Sequence, residues 1–208
     1  MAQQLGRLDM GSTGLAALAG ASICMGLIQL LAEPLDQVAT VDVQDVAVQT
    51  TMLAAPLIIS LLLLLRDGPR MVRQGARLAQ KQPRWRRQLW LELAWPVSLN
   101  MMALVPYVLA AALLAALATR PELDSISDLR LLLGSLNPRM LAFSVLKTAL
   151  FALATLWIAL QQGARAQRRG LTQTTGLTRA ISITLAVVLS LDLVWALTVE
   201  SIISNVGS

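Results

Sequence analysis

Residues 140–161 read MLAFSVLKTALFALATLWIALQ, an apolar run with one charged residue, Lys147. The run is long enough for a helix that crosses a hydrocarbon layer about 30 Å thick. A charge at the centre of such a helix costs roughly 3 kcal/mol, so it persists mainly where it pairs or contacts a substrate. The stretch therefore predicts a membrane-spanning helix and makes Lys147 a first candidate for function.

Four further runs of similar character lie on either side of this one. Hydrophobic residues make up 56% of the 208 residues and charged residues 14%. The five runs cover approximately 12–31, 47–65, 96–118, 140–161 and 180–199, with short polar connections between them. We expect an all-α polytopic protein in which residues 1–208 form a single transmembrane domain with five transmembrane helices.

The distribution of charge predicts the orientation of these spans. Residues 1–11, 66–88 and 162–179 together carry 13 of the 17 basic residues and two acids. The connections between them, residues 32–46 and 119–139, and the C-terminal tail carry eight acids and three arginines. By the positive-inside rule the N-terminus and the basic loop 66–88 are cytoplasmic, and the C-terminus is periplasmic. The net charge of +5 thus follows the membrane orientation and does not indicate a nucleic-acid partner.

Several kinds of chemistry are excluded or disfavoured by what the sequence lacks. It contains no histidine, which removes Ser-His and Cys-His catalysis and histidine proton relays. It has no P-loop, no GxGxxG motif and no carboxylate cluster with metal-ligand spacing. We therefore expect a protein that is not an enzyme and has no cofactor of its own; a small intramembrane enzyme is the least favoured reading.

Asp192 is the second charge inside an apolar run. Like Lys147, it lies about seven residues from the predicted outer end of its helix, so both lie roughly 10 Å below the outer boundary. Antiparallel neighbouring helices could pair the two. Two interpretations stay open: a salt bridge that only fixes the helix register, or a polar recess that handles a lipid headgroup or an ion.

A basic stripe follows the second run. Its members recur at spacings of four and three, which places them on one helical face: Arg66, Arg70, Arg73, Arg77, Lys81 and Arg84. The stripe either reaches anionic lipid headgroups or docks a cytoplasmic protein. In the third run, Pro96 and Pro106 predict a kinked or broken helix.

The last third of the chain resembles the MlaE/YrbE family of permeases, the membrane subunits of ABC transporters that work with MCE proteins. The resemblance rests on motifs in a fixed order over about sixty residues: Lys147-Thr148, Phe151, Gln162-Gly163, Thr178-Arg179-Ala180 and Leu191-Asp192. Pro56 and Arg66-Asp67-Gly68 extend it more faintly. The five-span topology is also that of the family.

The resemblance implies a permease subunit in the bacterial cytoplasmic (inner) membrane that moves phospholipid or a related lipid. Its partners would be an ABC ATPase, which hydrolyses ATP, a second permease copy in a homo- or heterodimer, and a periplasmic MCE protein. The expected lipid-binding residues are Lys147, Asp192, Gln29, Asn100, Leu53 and Pro56. The expected ATPase-coupling residues are Arg66, Arg70, Arg73, Gly75, Arg77 and Lys81.

Two departures from the family pattern keep an alternative open. Leu53 stands where the family usually carries an acidic residue near the lipid cavity. The segment after Arg73-Gln74-Gly75 is shorter and more basic than the family's coupling segment. The alternative is a degenerate subunit that completes a heteromeric permease, or a scaffold, without handling substrate itself.

Overall fold

The computed structural model describes residues 10–36, 43–79, 83–119, 130, 133–134 and 138–200. Six helices form this part of the chain. They are α1 (Met10–Asp36), α2 (Val43–Ala79), α3 (Pro83–Met102), α4 (Val105–Ala118), α5 (Pro138–Arg168) and α6 (Gln173–Trp195), the last followed by a π-helical turn, Ala196–Glu200.

In the part of the chain that the structure describes, five helical segments are long and apolar enough to cross a membrane, which confirms the predicted number of spans and the all-helical class. No strand occurs in the described ranges. The segments are Gly11–Ala32, Val43–Ala79, Leu91–Ala118, Pro138–Arg168 and Gln173–Thr198. The chain is therefore a multi-pass membrane protein by the length and composition of its helices. The side on which each terminus lies stays a prediction.

The predicted basic loop 66–88 is largely helical. The second helix does not end at Leu65 but continues without interruption to Ala79, and α3 begins at Pro83. Beyond Leu65, apolar residues of α2 such as Met71 and Val72 are fully buried. The segment remains helical because burial of this apolar face stabilises it although its other face is charged.

The third span breaks where proline predicted a break. Ala103 and Leu104 leave the helix between α3 and α4, and Pro106 lies in the first turn of α4. Proline has no amide hydrogen, and in the first turn of a helix that donor has no intrahelical partner to lose. The neighbouring amides remain bonded, with Leu104 N donating to the carbonyl oxygen of Met101 at 3.1 Å. Pro96, by contrast, lies inside α3.

The described residues divide into two compact units. One comprises the described parts of Arg7–Leu62 and Ser98–Ala149 and is called the N-terminal unit below; the other comprises those of Leu63–Val97 and Leu150–Ser208 and is called the C-terminal unit. In the N-terminal unit, α1 packs on α4 so closely that a Cβ on Gly20 would lie 2.7 Å from the carbonyl oxygen of Val108. An apolar core surrounds this contact, with members from α1, α2 and α4: Cys24, Ile28, Ala47, Val48, Ala112, Leu113, Ala115 and Ala116.

In the C-terminal unit, α2 and α5 approach each other at two glycines. A Cβ on Gly75 of α2 would collide with the carbonyl group of Leu160, and a Cβ on Gly163 of α5 would collide with that of Val72. The missing side chains allow the two helix backbones to come into contact, as small residues do between membrane helices. Gly176 brings α6 against the same place, since its Cβ would lie 3.0 Å from that of Ala166.

We expect Gly163→Ala to destabilise the protein by about 1–3 kcal/mol, because the added methyl group forces the helix backbones apart. The measurement is thermal unfolding of the purified full chain in detergent. Gly26→Ala is the matched control, since Gly26 lies in the apolar part of α1 and a Cβ added there would meet nothing within 4 Å. A melting temperature of Gly163→Ala equal to that of the control would contradict the crossing described above.

Candidate functional site

The polar residues of the fourth span lie on one buried face of α5. Five residues recur along this helix at steps of three and four, a pattern that by itself places them on one side of the helix. Their exposures are 4% for Ser144, 6% for Lys147, 1% for Thr148, 2% for Phe151 and 0% for Thr155, so this side is buried. A lysine that is only 6% exposed requires compensation by other groups, because an isolated ammonium group is costly to desolvate.

Hydrogen bonds account for the hydroxyl groups of this face. Ser144 Oγ donates to the carbonyl oxygen of Met52 on α2 at 3.0 Å. Thr148 and Thr155 donate to carbonyl oxygens four residues earlier in α5, at 2.7 and 2.8 Å. The Ser144 bond joins α5 to α2 within the N-terminal unit. It fixes α5 about one turn from Lys147, so the lysine side chain extends from a helix whose position is set.

The other predicted lipid-binding residues have different environments. Pro56 is buried, Asn100 is half-buried, and Gln29 and Leu53 are exposed. Together with Lys147, these four belong to the N-terminal unit, whereas Asp192 is a half-buried residue of α6 in the C-terminal unit. The pairing of Lys147 with Asp192 therefore stays a prediction.

The predicted coupling stripe forms an exposed face of α2. Arg70, Arg73 and Arg77 are exposed and Arg66 is half-buried. Gly75 differs from them, because it is buried in the crossing with α5 and its absent side chain serves that contact. Lys81 lies outside the described residues. Spacings of three and four were thus sufficient to identify the charged face. The sequence pattern did not show that Gly75 packs against α5 and is not part of that face.

Asp67 was noted in the sequence only as part of the Arg66-Asp67-Gly68 motif. It is fully buried (0% exposed), and neither of its carboxylate oxygens accepts a hydrogen bond. Arg70 Nη1 lies 3.5 Å from Asp67 Oδ1, and the Arg70 side chain is 58% exposed. A buried carboxylate facing a partly solvated arginine gains only part of the attraction that would offset its desolvation. The sequence feature that could have identified Asp67 is its position as an acidic residue among the basic residues of segment 66–88.

A short, well-defined turn connects α5 to α6. Gly170 has a φ of 64°, Leu171 N donates to the carbonyl oxygen of Ala166 at 2.9 Å, and Gly170 N donates to that of Gln167 at 3.3 Å. This bonding pattern is the Schellman motif, in which glycine ends a helix in the left-handed conformation. Thr172 then caps α6 by accepting a bond from Thr175 N. The Arg-Gly-Leu-Thr sequence of residues 169–172 thus specifies the reversal.

No family model matches the chain, and no curated protein and no solved structure is significantly similar to it. Within the described ranges no group of three or more histidine, cysteine, aspartate or glutamate residues could hold a metal ion. The arrangement offers instead a buried cation on a polar helix face and an exposed basic helix end.

We expect Ser144→Ala to lower the free energy of unfolding by about 1 kcal/mol, because the bond to the Met52 carbonyl is lost inside the protein. Ser190→Ala is the control, since Ser190 is exposed and donates only to the carbonyl oxygen of Ala186 in its own helix. Denaturant titration of both variants in detergent measures the difference. Equal stabilities of the two variants would count against the interhelical bond.

A double-mutant cycle tests the Asp67–Arg70 pair. Asp67→Asn is expected to raise the stability, because a neutral amide costs less to bury than a carboxylate without hydrogen bonds. Arg70→Gln is expected to lower it in the wild-type background and to have no effect beside Asn at position 67. The coupling should be about 0.5–1 kcal/mol, since Arg70 is mostly solvated. A coupling of zero would show that the pair contributes nothing.

Proposed function

We propose that this chain is a membrane permease subunit of an ABC transporter that moves phospholipid or a related lipid between the inner membrane and a periplasmic MCE protein. The observation that carries the proposal is the burial of Lys147 on a polar face inside an apolar span. Ionisable residues at such positions in membrane proteins commonly mark substrate pathways. A buried ammonium group suits the phosphate of a lipid headgroup.

The glycine contacts give the proposal a second support. The motifs that carry the resemblance include Gln162-Gly163 near the end of α5. Gly163 is one of the two glycines at which α5 and α2 meet, and the other is Gly75. Because a side chain at Gly163 would collide with α2, this position of the motif requires a small residue. The presence of glycine there is therefore not explained by hydrophobic composition alone.

In this assignment the polar groups of the N-terminal unit contact the lipid headgroup, and the apolar surface of the spans accommodates the acyl chains. ATP is hydrolysed by a separate ATPase bound on the cytoplasmic side. The exposed arginines of α2, Arg70, Arg73 and Arg77, are the proposed contact for it. The alternative, a degenerate subunit or a scaffold, is favoured by one feature: Leu53 is 41% exposed on α2, where an acidic side chain would otherwise be available to substrate.

The experiment is purification of the tagged full chain from its native membrane, followed by reconstitution of whatever complex is recovered. We expect an ABC ATPase and an MCE protein to copurify. In the reconstituted complex, Lys147→Met should lower ATP-driven lipid transfer roughly tenfold or more, the loss of one charge-assisted contact. Lys147→Arg is the control that retains the positive charge and should retain most of the transfer.

Each result has a distinct meaning. A complex that contains neither an ATPase nor an MCE protein would overturn the proposal. Unimpaired transfer by an assembled complex with Lys147→Met would instead favour the degenerate subunit, and a second permease copy with the missing acidic residue would be expected in the same complex.

A further inference from the structure

Three exposed arginines line one cavity where α5 ends and α6 begins. The cavity has a volume of about 330 Å³. Its lining includes Arg165, Arg169, Arg179, Gln162, Leu171 and Ile183. All of these residues belong to the C-terminal unit. Arg165 lies in the last turn of α5, Arg169 directly follows the helix, and the Gly170 turn brings α6, with Arg179, beside them.

No acidic residue is among those that line this cavity. Among the described residues, no carboxylate forms an ion pair with Arg165, Arg169 or Arg179. Like charges held near one another repel, and an anion between them removes that repulsion. The guanidinium group is also the side chain best suited to phosphate, because it donates two parallel hydrogen bonds. The start of α6 at Gln173 adds the positive end of a helix dipole nearby.

A second cavity, of about 290 Å³, shares Arg165 with the first. It is lined by the apolar side chains Leu78, Trp157, Leu160 and Ala164, and also by Gln161, Arg165 and Arg168. Trp157 is 48% exposed, so this apolar lining is open to the surroundings. A cationic cavity beside a surface of apolar side chains matches an amphiphile, whose charged group and hydrocarbon chain are joined. A free phosphate ion would use only the first cavity.

We propose that this arginine cavity binds the phosphate of an anionic phospholipid, with the start of an acyl chain against Leu78, Trp157 and Leu160 in the second cavity. The charge distribution predicts that this end of the helices faces the cytoplasm, where the membrane surface is negative. This site belongs to the C-terminal unit, whereas the buried Lys147 belongs to the N-terminal unit. The site does not depend on the transport function proposed above. Its occupant is a lipid of the surrounding leaflet that fixes the α5–α6 turn.

The test is a binding titration of the purified full chain in neutral detergent by native mass spectrometry. The probes are phosphatidylglycerol, phosphatidylcholine of the same chain length, and inorganic phosphate. We expect saturable binding of one tight phosphatidylglycerol per chain, at least about tenfold tighter than phosphatidylcholine, the difference that one charge-assisted contact makes. Millimolar inorganic phosphate should compete only weakly, because it lacks the acyl contact.

Matched variants locate the site. Arg169→Gln should weaken phosphatidylglycerol binding roughly tenfold, the loss of one charge-assisted contact. Arg139→Gln removes the same charge from a likewise exposed position at the start of α5 that lines neither cavity, and should weaken binding less than about twofold because no contact with the lipid is lost. Trp157→Ala should weaken the binding of phosphatidylglycerol and leave the competition by inorganic phosphate unchanged. The melting temperature of each lipid-free variant shows that it is folded.

Three outcomes would overturn the proposal. Equal losses in Arg169→Gln and Arg139→Gln would mean that positive charge attracts the lipid wherever it lies and that the cavity is not a site. Inorganic phosphate that competes as strongly as added lipid would identify the ligand as a free anion. If phosphatidylglycerol binds no tighter than phosphatidylcholine, the arginines do not recognise an anionic lipid, and an acidic protein partner becomes the better candidate.

Discussion

The close contact of α2 with α5 at Gly75 and Gly163 is the constraint on which the C-terminal unit depends. Each glycine lies against a backbone carbonyl of the other helix, so neither position tolerates a Cβ without movement of the backbone. In a membrane the apolar surface of a helix gains little by leaving lipid for protein, and such close packing supplies much of the association energy. The contact holds the end of α5 and thereby the turn that leads into α6.

Burial is unevenly distributed among the spans, and this distribution separates structural from available surfaces. In the most apolar stretch of α2, 56% of the residues are buried, against 17% in that of the last span. The last span exposes large apolar residues such as Leu189, Leu193 and Leu197. Exposed leucines are ordinary on a helix that faces lipid. Polar and charged side chains inside the protein or lining a cavity are therefore more informative about function, and examples are Lys147, Asp67 and the arginines of the α5–α6 turn.

Lys147 and Asp67 show two different ways in which a membrane protein accommodates a buried charge. Lys147 lies on a helix face whose hydroxyl groups are all bonded to carbonyl oxygens, so the surroundings are polar although they are closed to solvent. Asp67 has a charged neighbour but no hydrogen bond. The first arrangement suits contact with a polar ligand, since the lysine is positioned by its helix. The second contributes at most a modest ion pair, because Arg70 is largely solvated.

The sequence by itself determined the helical class, the five spans, the break at Pro106 and the buried face of α5. These features follow from local pattern: hydrophobic length sets a span, a missing amide sets a break, and spacings of three and four set a face. Only the tertiary structure decided that Gly75 and Gly163 meet across two helices and that Asp67 is buried. It also decided that Arg165, Arg169 and Arg179 share a cavity. Those relations depend on how helices distant in sequence pack together, and no local pattern encodes the distance between two residues on different helices.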